Sequence, residues 1–307
     1  MEKTMARRLA VALVWSVLTG TVLGVPSRGG AQAPGAAPAQ APKPLRTGYV
    51  ETNGVNYYYE IYGQGRPLLL LHGGLMSIGS FTPVILPQLV KERQVIAVDL
   101  QGHGRTALGD RPIDLHAIGD DLATLLAKLG YDSVDVMGYS FGAGAGLRLA
   151  IQHPTVVRRL VVVSAPISQD GFYPEMLPQQ AAVGAAMADQ MKQTPMYQGY
   201  VAVAPRPQDF PRLLDAMGAY MRQPYDWSEE VKTLHGPVLL VFGDHDMIRP
   251  EHIVKFYQLL GEGQHDAGWQ REHMGKNRLA ILPNVTHYDM FMSPALVPTV
   301  LPFLNER

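Results

Sequence analysis

Gly138-Tyr139-Ser140-Phe141-Gly142 is the segment of this 307-residue chain with the most chemistry to offer. A serine hydroxyl is a weak nucleophile at neutral pH. It needs a base to take its proton during attack, and a backbone that projects it clear of its surroundings. Glycines on both sides permit a turn sharp enough for that. The apolar run 134–137 reads as a buried strand and 143–153 as a helix, whose N-terminal N–H groups and dipole then point toward the hydroxyl. Strand, G-x-S-x-G and helix in that order make Ser140 the expected nucleophile. Gly142, Gly144 and Gly146 are expected to let helix and strand approach closely.

Short apolar runs alternate with helical segments around this motif. Residues 68–71, 95–98, 134–137, 160–163, 238–242 and 279–282 have the length and unbroken apolar character of strands buried on both faces. Helices are expected at 81–91, 118–129, 143–153, 253–260 and 295–304. Strand and helix in repetition predict an α/β architecture, a mostly parallel sheet with helices on both faces. Ahead of it, Tyr49-Val50-Glu51 and Tyr57-Tyr58-Tyr59-Glu60-Ile61-Tyr62 flank Asn53-Gly54, which suits a tight turn with positive φ. The fold is therefore expected to open near Gly48 with an antiparallel hairpin. Between residues 164 and 238 about seventy residues replace a connection that needs only a few. This stretch reads as a helical cap insert at about 169–234, three or four short helices punctuated by prolines. Met176, Met187, Met191, Met196, Met217 and Met221, with Tyr197, Tyr200, Tyr220, Tyr225 and Trp227, give it an adaptable apolar face that packs on the sheet's C-terminal edge or on itself.

In this setting the Ser140 motif resembles the nucleophile segment of the α/β-hydrolase family, and the likeness runs from about Gly48 to the C-terminus. The insert stands in the place of that family's variable cap. His72-Gly73-Gly74 is similar to the HG oxyanion segment. Asp99-Leu100-Gln101-Gly102-His103-Gly104-Arg105-Thr106 is similar to the D-x-x-G-H-G-x-S loop, with threonine replacing serine. Gly243-Asp244-His245-Asp246, with Pro250 beyond, resembles the acid loop, and Pro283-Asn284-Val285-Thr286-His287 the histidine loop. The resemblance implies the α/β-hydrolase fold and a serine, acid, histidine order. Ser140 attacks, His287 moves the proton and Asp246 orients the imidazole, with Asp244 and Asp170 the other carboxylates considered for that role. The backbone N–H groups of Gly74 and Phe141 are implied as oxyanion donors, with Leu75 competing for the place of Gly74. His72 and His103 are read as structural residues of Gly-rich turns. Haloalkane dehalogenases and epoxide hydrolases of this fold place aspartate at the nucleophile position, and Ser140 argues against both.

Composition narrows the remaining functions. With 26 Lys+Arg against 27 Asp+Glu and no basic block, there is no electrostatic footprint for nucleic acid. The absence of cysteine excludes a thiol nucleophile, a disulfide and a thiolate metal site. Neither His245, Asp246 and His252 nor His265, Asp266 and His273 match a metal motif. No Walker loop is present and Gly73-Gly74 is not followed by a dinucleotide fingerprint, so no metal and no cofactor are expected. The expected activity is that of a serine hydrolase acting on a small-molecule partner, a carboxylic ester of small or medium apolar character, through an acyl-enzyme. A lactonase, an amidase, a C–C bond hydrolase or a cofactor-free perhydrolase would keep the same three residues. A ligand-binding member with little turnover is the rival from another class.

Lys3, Arg7 and Arg8 precede the uncharged residues 9–25 and the small residues Ala31-Gln32-Ala33, the order of a secretory signal. Residues 1–31 are read as a signal peptide, 32–47 as an Ala/Pro/Gly-rich linker and 48–307 as the hydrolase domain, which implies a periplasmic or secreted protein. The alternative is an uncleaved anchor, the one case in which a membrane is a partner. Intact-mass measurement is expected to show a soluble mature protein starting after roughly residues 25–41. A full-length species that pellets with membranes is the result that favours the anchor.

Overall fold

The computed structural model describes residues 41–306; the expected signal peptide and the linker as far as residue 40 lie outside the described residues. Strand β1 (Arg46–Thr52) starts two residues before Gly48 and turns at Asn53 and Gly54, with φ of 51° and 81°, into its antiparallel partner β2 (Val55–Tyr62). The six expected parallel strands follow as β3 (Arg66–Leu71), β4 (Arg93–Val98), β5 (Val134–Tyr139), β6 (Val157–Val163), β7 (Val238–His245) and β8 (Arg278–Thr286). The sheet order is β1-β2-β4-β3-β5-β6-β7-β8, antiparallel only at β1·β2 and β2·β4.

Among the described residues the helices are α1 (Ile85–Leu89), α2 (Leu115–Leu129), α3 (Phe141–Gln152), the cap helices α4 (Met176–Ala181), α5 (Ala188–Met191), α6 (Pro195–Val203) and α7 (Phe210–Met221), then α8 (Pro250–Leu259) and α9 (Leu296–Asn305). Period-two alternation divides each apolar strand between two cores. Leu69, Leu71, Leu160, Val162, Leu240 and Phe242 face the core built with α2, α3 and α8. Leu68, Leu70, Val161, Val163, Leu239 and Val241 face the one built with α1 and α9. The single helix expected at 81–91 is not formed. A 3₁₀ turn (Ile78–Phe81) precedes the five-residue α1, because Pro83 between them has no N–H to continue a helical ladder.

The cap leaves the sheet after β6 and returns through a narrow neck. There the Gln169 N–H donates to the Tyr225 carbonyl at 3.0 Å and the Trp227 N–H to the Ile167 carbonyl at 2.8 Å. Residues 228–234, expected within the cap, instead lie against α3, where Arg148 donates to Glu230 at 2.7 Å.

Three buried histidines fasten the segments that leave the sheet. His72 Nε2 accepts the Leu100 N–H at 3.0 Å, so its proton sits on Nδ1 and is donated to the Gly73 carbonyl at 2.8 Å. His252 Nε2 accepts the Ile167 N–H at 3.1 Å, and His103 Nδ1 meets the Gln101 carbonyl at 2.8 Å. Burial pushes His72 down to about 3 and His103 and His252 down to about 4. Burial pushes the neighbouring Asp99 the other way, up to about 6, against the N–H donors of Arg105 and Ile78. Between pH 6.5 and about 4 the unfolded chain therefore binds three protons that the folded chain refuses. Asp99 offsets one of them below about pH 6. Stability is expected to fall as pH drops through this window, by on the order of 1 kcal/mol per pH unit for each net proton. Urea midpoints at neutral and mildly acid pH test this, and a flat profile would mean that these imidazoles titrate normally.

Candidate active site

β5 ends at Tyr139 and α3 begins at Phe141, so the chain turns on Ser140 alone, at φ 53° and ψ −117°. Glycine is required on either side by close approach. A Cβ on Gly138 would stand 2.3 Å from the Gly142 carbonyl oxygen, and one on Gly142 would stand 2.4 Å from that of His72. Gly146 lies against Val136 of β5 as expected. Gly144 instead serves helix–helix packing, since a Cβ there would meet Leu115 of α2 at 2.8 Å.

Loops after β5, β7 and β8 bring three of the expected residues together. Ser140 Oγ lies 3.1 Å from His287 Nε2, and His287 Nδ1 lies 3.0 Å from Asp246 Oδ1. The other oxygen of Asp246 accepts the Ser164 hydroxyl at 2.6 Å. Burial raises the Asp246 carboxyl, but the hydrogen bond and charge of His287 and the Ser164 hydroxyl outweigh it and hold the group below the usual carboxylate range. An ionised, desolvated carboxylate facing Nδ1 keeps the proton there and leaves Nε2 free to accept one from serine.

The other carboxylates point elsewhere. Asp244 lies 2.9 Å from His245 Nδ1 at the surface, while Asp170 accepts the Ser168 hydroxyl and sits 3.8 Å from His252. His245, Asp246 and His252 thus belong to separate partnerships. Among the described residues no three His, Asp or Glu side chains converge as metal ligands.

Gly74 and Phe141 adjoin, a Cβ on Gly74 falling 3.8 Å from that of Phe141. Leu75 follows in the left-handed region, at φ 58°, within a turn closed by the Met76 N–H and the Gly73 carbonyl at 3.3 Å. As the first residue of α3, Phe141 carries an N–H with no acceptor inside the helix. The backbones of Gly74 and Phe141 thus lie side by side next to Ser140. Thr106, which stands where the D-x-x-G-H-G-x-S loop has serine, accepts the Tyr58 N–H at 2.9 Å and donates to the Asp99 carbonyl at 2.6 Å.

Two residues that sequence reasoning missed support this arrangement. Ser164 holds Asp246, and the Tyr139 hydroxyl donates to the His287 carbonyl while its ring lies 5.4 Å from the imidazole. The only signals in the sequence are a polar residue ending the apolar strand at 160–163 and a phenol next to the nucleophile.

A family profile described as alpha/beta hydrolase fold matches residues 66–195. The solved enol-lactonase from Burkholderia xenovorans LB400 superposes with a TM-score of 0.63 and 18% identity, over 84% of this chain and 100% of its own. The chain has the α/β-hydrolase fold. The carboxylesterase CesB (YbfK) from Bacillus subtilis matches this chain with a TM-score of 0.62 and 21% identity, over 85% of this chain and 91% of its own. Among curated proteins, the 2-hydroxymuconate semialdehyde hydrolase of Pseudomonas sp. (strain CF600) is 37% identical over 35% of this chain and 41% of its own. The N-formylmaleamate deformylase of Pseudomonas putida is 33% identical over 46% and 56%. The chain thus spans about half the length of the curated relatives it matches.

Asp246→Asn is expected to lower kcat by about four orders of magnitude, as loss of a carboxylate that fixes an imidazole does. Asp244→Asn should change it less than about two-fold, because an exposed carboxylate away from His287 has no such role. Ser164→Ala should fall between them, since it removes one hydrogen bond to a buried charge. Steady-state rates on one ester decide the order, and a larger loss at Asp244 would move the assignment by two residues.

Proposed function

We propose that this α/β-hydrolase is a serine hydrolase that cleaves a carboxylic ester of a small or medium apolar substrate. The reading is supported above all by the continuous path from Ser140 through His287 to Asp246, at 3.1 and 3.0 Å, beside the N–H groups of Gly74 and Phe141. Ser140 Oγ bonds to the ester carbon as its proton passes to His287 Nε2. The carbonyl π pair moves onto oxygen, facing the backbone donors. Collapse breaks the bond to the alcohol, which leaves with the proton from Nε2. Water then attacks the acyl carbon, giving a proton to Nε2, and the bond to Oγ breaks as serine recovers its hydrogen. Water is the only co-reactant.

The cap supports an uncharged acyl group. Met217 reaches to 3.1 Å from the position of a Gly74 Cβ. The cap's arginines are engaged elsewhere: Arg206 and Arg212 pair with Asp209 at 2.9 and 3.3 Å, and Arg222 donates to the carbonyls of Ala181 and Val183. A buried carboxylate would gain no cation from these three. The relative named N-formylmaleamate deformylase favours a second reading, with an amide in place of the ester; the same proton transfers serve an amine leaving group.

A fluorophosphonate probe is expected to label the wild type at one site and to leave Ser140→Ala unlabelled, with turnover reduced by several orders of magnitude. In a panel of p-nitrophenyl esters, lactones and anilides, acetate and butyrate esters should be hydrolysed fastest and a hemisuccinate ester slowest. Labelling retained in Ser140→Ala would remove the nucleophile, and faster turnover of anilides would give preference to the amide.

A further inference from the structure

Cap helix α7 lays one face across three core loops. Leu213 Cδ1 stands 2.9 Å from where a Gly102 Cβ would be, and Met217 Cε 3.1 Å from a Gly74 Cβ. The Tyr220 ring meets the Phe141 ring edge-on with centroids 5.4 Å apart. Positions 213, 217 and 220 are spaced i, i+4, i+7 and form one stripe. The helix therefore runs over the loops after β4 and β3 and ends on the residue that follows Ser140. The first two contacts are apolar; the third carries a hydroxyl.

That hydroxyl has no hydrogen-bond partner among the described residues, and neither has that of Tyr225. The Tyr225 ring lies 4.8 Å from Trp227, whose indole in turn reaches 3.8 Å from the position of a Gly144 Cβ on α3. Both phenols thus occupy the seam between the cap and the start of α3. Burial pushes each above the ordinary phenol range, and Tyr220 adds to the rise at Tyr225, so both are neutral donors throughout the working pH range. Both side chains are half-buried, and among the described residues neither hydroxyl meets an acceptor.

The topology says which part of a substrate meets them. Ser140 follows β5, with β3 and β4 to one side and β6, β7 and β8 to the other. The leaving group takes its proton from His287 and so lies toward β8. Phe141, stacked on His103 at 5.5 Å from the loop after β4, lies on the opposite side with Tyr220. The acyl part is the part that faces Tyr220, beside which Tyr225 closes the neck after β6.

We propose that the Tyr220 and Tyr225 hydroxyls recognise an acceptor oxygen carried by the acyl part, so that the preferred substrates are esters of oxo- or alkoxy-substituted acids rather than of plain hydrocarbon acids. The inference rests on the serine-hydrolase reading and narrows it. A neutral oxygen fits better than a carboxylate, because the phenols bring donors without charge and the cap arginines are engaged elsewhere.

The test compares kcat/KM for p-nitrophenyl levulinate and p-nitrophenyl valerate in the wild type, Tyr220→Phe, Tyr225→Phe and the double variant. Phenylalanine keeps the ring contacts and removes only the oxygen. Comparing the levulinate-to-valerate ratio between proteins cancels the intrinsic reactivity of the two esters. The ratio is expected to fall about ten-fold in Tyr220→Phe, the size of one neutral hydrogen bond, and further in the double variant. A ratio unchanged in both single variants overturns the inference. Fluorophosphonate labelling runs alongside. A labelled Ser140 with an unchanged ratio sinks this inference alone, whereas an unlabelled wild type sinks the serine-hydrolase reading. If Tyr220→Phe loses the label through misfolding, the ratio in Tyr225→Phe decides.

Discussion

Ser140 is held at φ 53° and ψ −117°, and the rest of the site is arranged so that it cannot relax. A side-chain-bearing residue in such a region costs on the order of 1–3 kcal/mol, and persists only where its surroundings over-determine it. Its N–H is tied to the Val163 carbonyl at 2.8 Å, and its own carbonyl accepts the N–H groups of Ala143 and Gly144 at 2.9 and 3.0 Å. The strand before it and the helix after it are locked from both ends. Tyr139 extends the constraint sideways. Its ring would meet a Cβ on Gly73 at 2.8 Å, and its hydroxyl fastens the His287 carbonyl. The residue before Ser140 therefore sets both the His72-Gly73-Gly74 segment and the His287 loop. A strained turn is what lets one side chain reach them all.

Burial acts on every ionisable group around this turn, and the local donors decide the outcome. Taking a lone carboxylate out of water costs several kcal/mol. Asp246 stays charged because two near partners, the His287 Nδ1–H at 3.0 Å and the Ser164 hydroxyl at 2.6 Å, stabilise the anion. Asp99 is buried as deeply and accepts only backbone N–H groups close by, with the Arg105 guanidinium no nearer than 3.9 Å, and it rises to about 6. Burial keeps His72, His103 and His252 neutral, with Asp99 no nearer than 4.0 Å to His72 and Asp170 3.8 Å from His252, which suits groups that accept or donate to backbone in tight turns. One dry environment yields a carboxylate at the site and uncharged fasteners around it.

What was legible in the sequence was whatever is fixed by neighbours along the chain. Apolar runs four or five residues long between turn signals read as strands, and all six appear in the sheet, five of them buried on both faces and the sixth, β8, at the edge with Ile281 exposed. Asn53-Gly54 allows the positive φ that its hairpin needs. G-x-S-x-G is legible because its glycines answer to atoms within a few residues and at the adjacent strand end. The helix expected at 81–91 failed because its apolar spacing was read without the missing N–H of Pro83. Ser164 was not legible, because its meaning depends on Asp246, 82 positions away and brought near only by the pairing of β6 with β7. The end of the cap was misjudged for a related reason. Nothing local distinguishes residues 228–234 from the cap before them, and the boundary is set by the neck at Tyr225 and Trp227.

The cap is the part of the molecule whose sequence constrained it least. In the neck two backbone hydrogen bonds join its ends; elsewhere its place is fixed chiefly by apolar contact, with Phe210, Leu213, Leu214 and Met217 almost wholly buried. Apolar burial is strong but non-directional, at about 25 cal/mol per Å². It sets how tightly α7 lies down and leaves its rotation to the shape of the loops beneath. Glycines at 74 and 102 supply that shape, as hollows that take Met217 and Leu213. Once those two are seated, a helix of 3.6 residues per turn has no freedom left at position 220. The packing that holds the cap on the core is therefore also what aims the Tyr220 ring at Phe141, the residue beside Ser140. A cap with a different residue at that position could keep its seat and meet a different substrate.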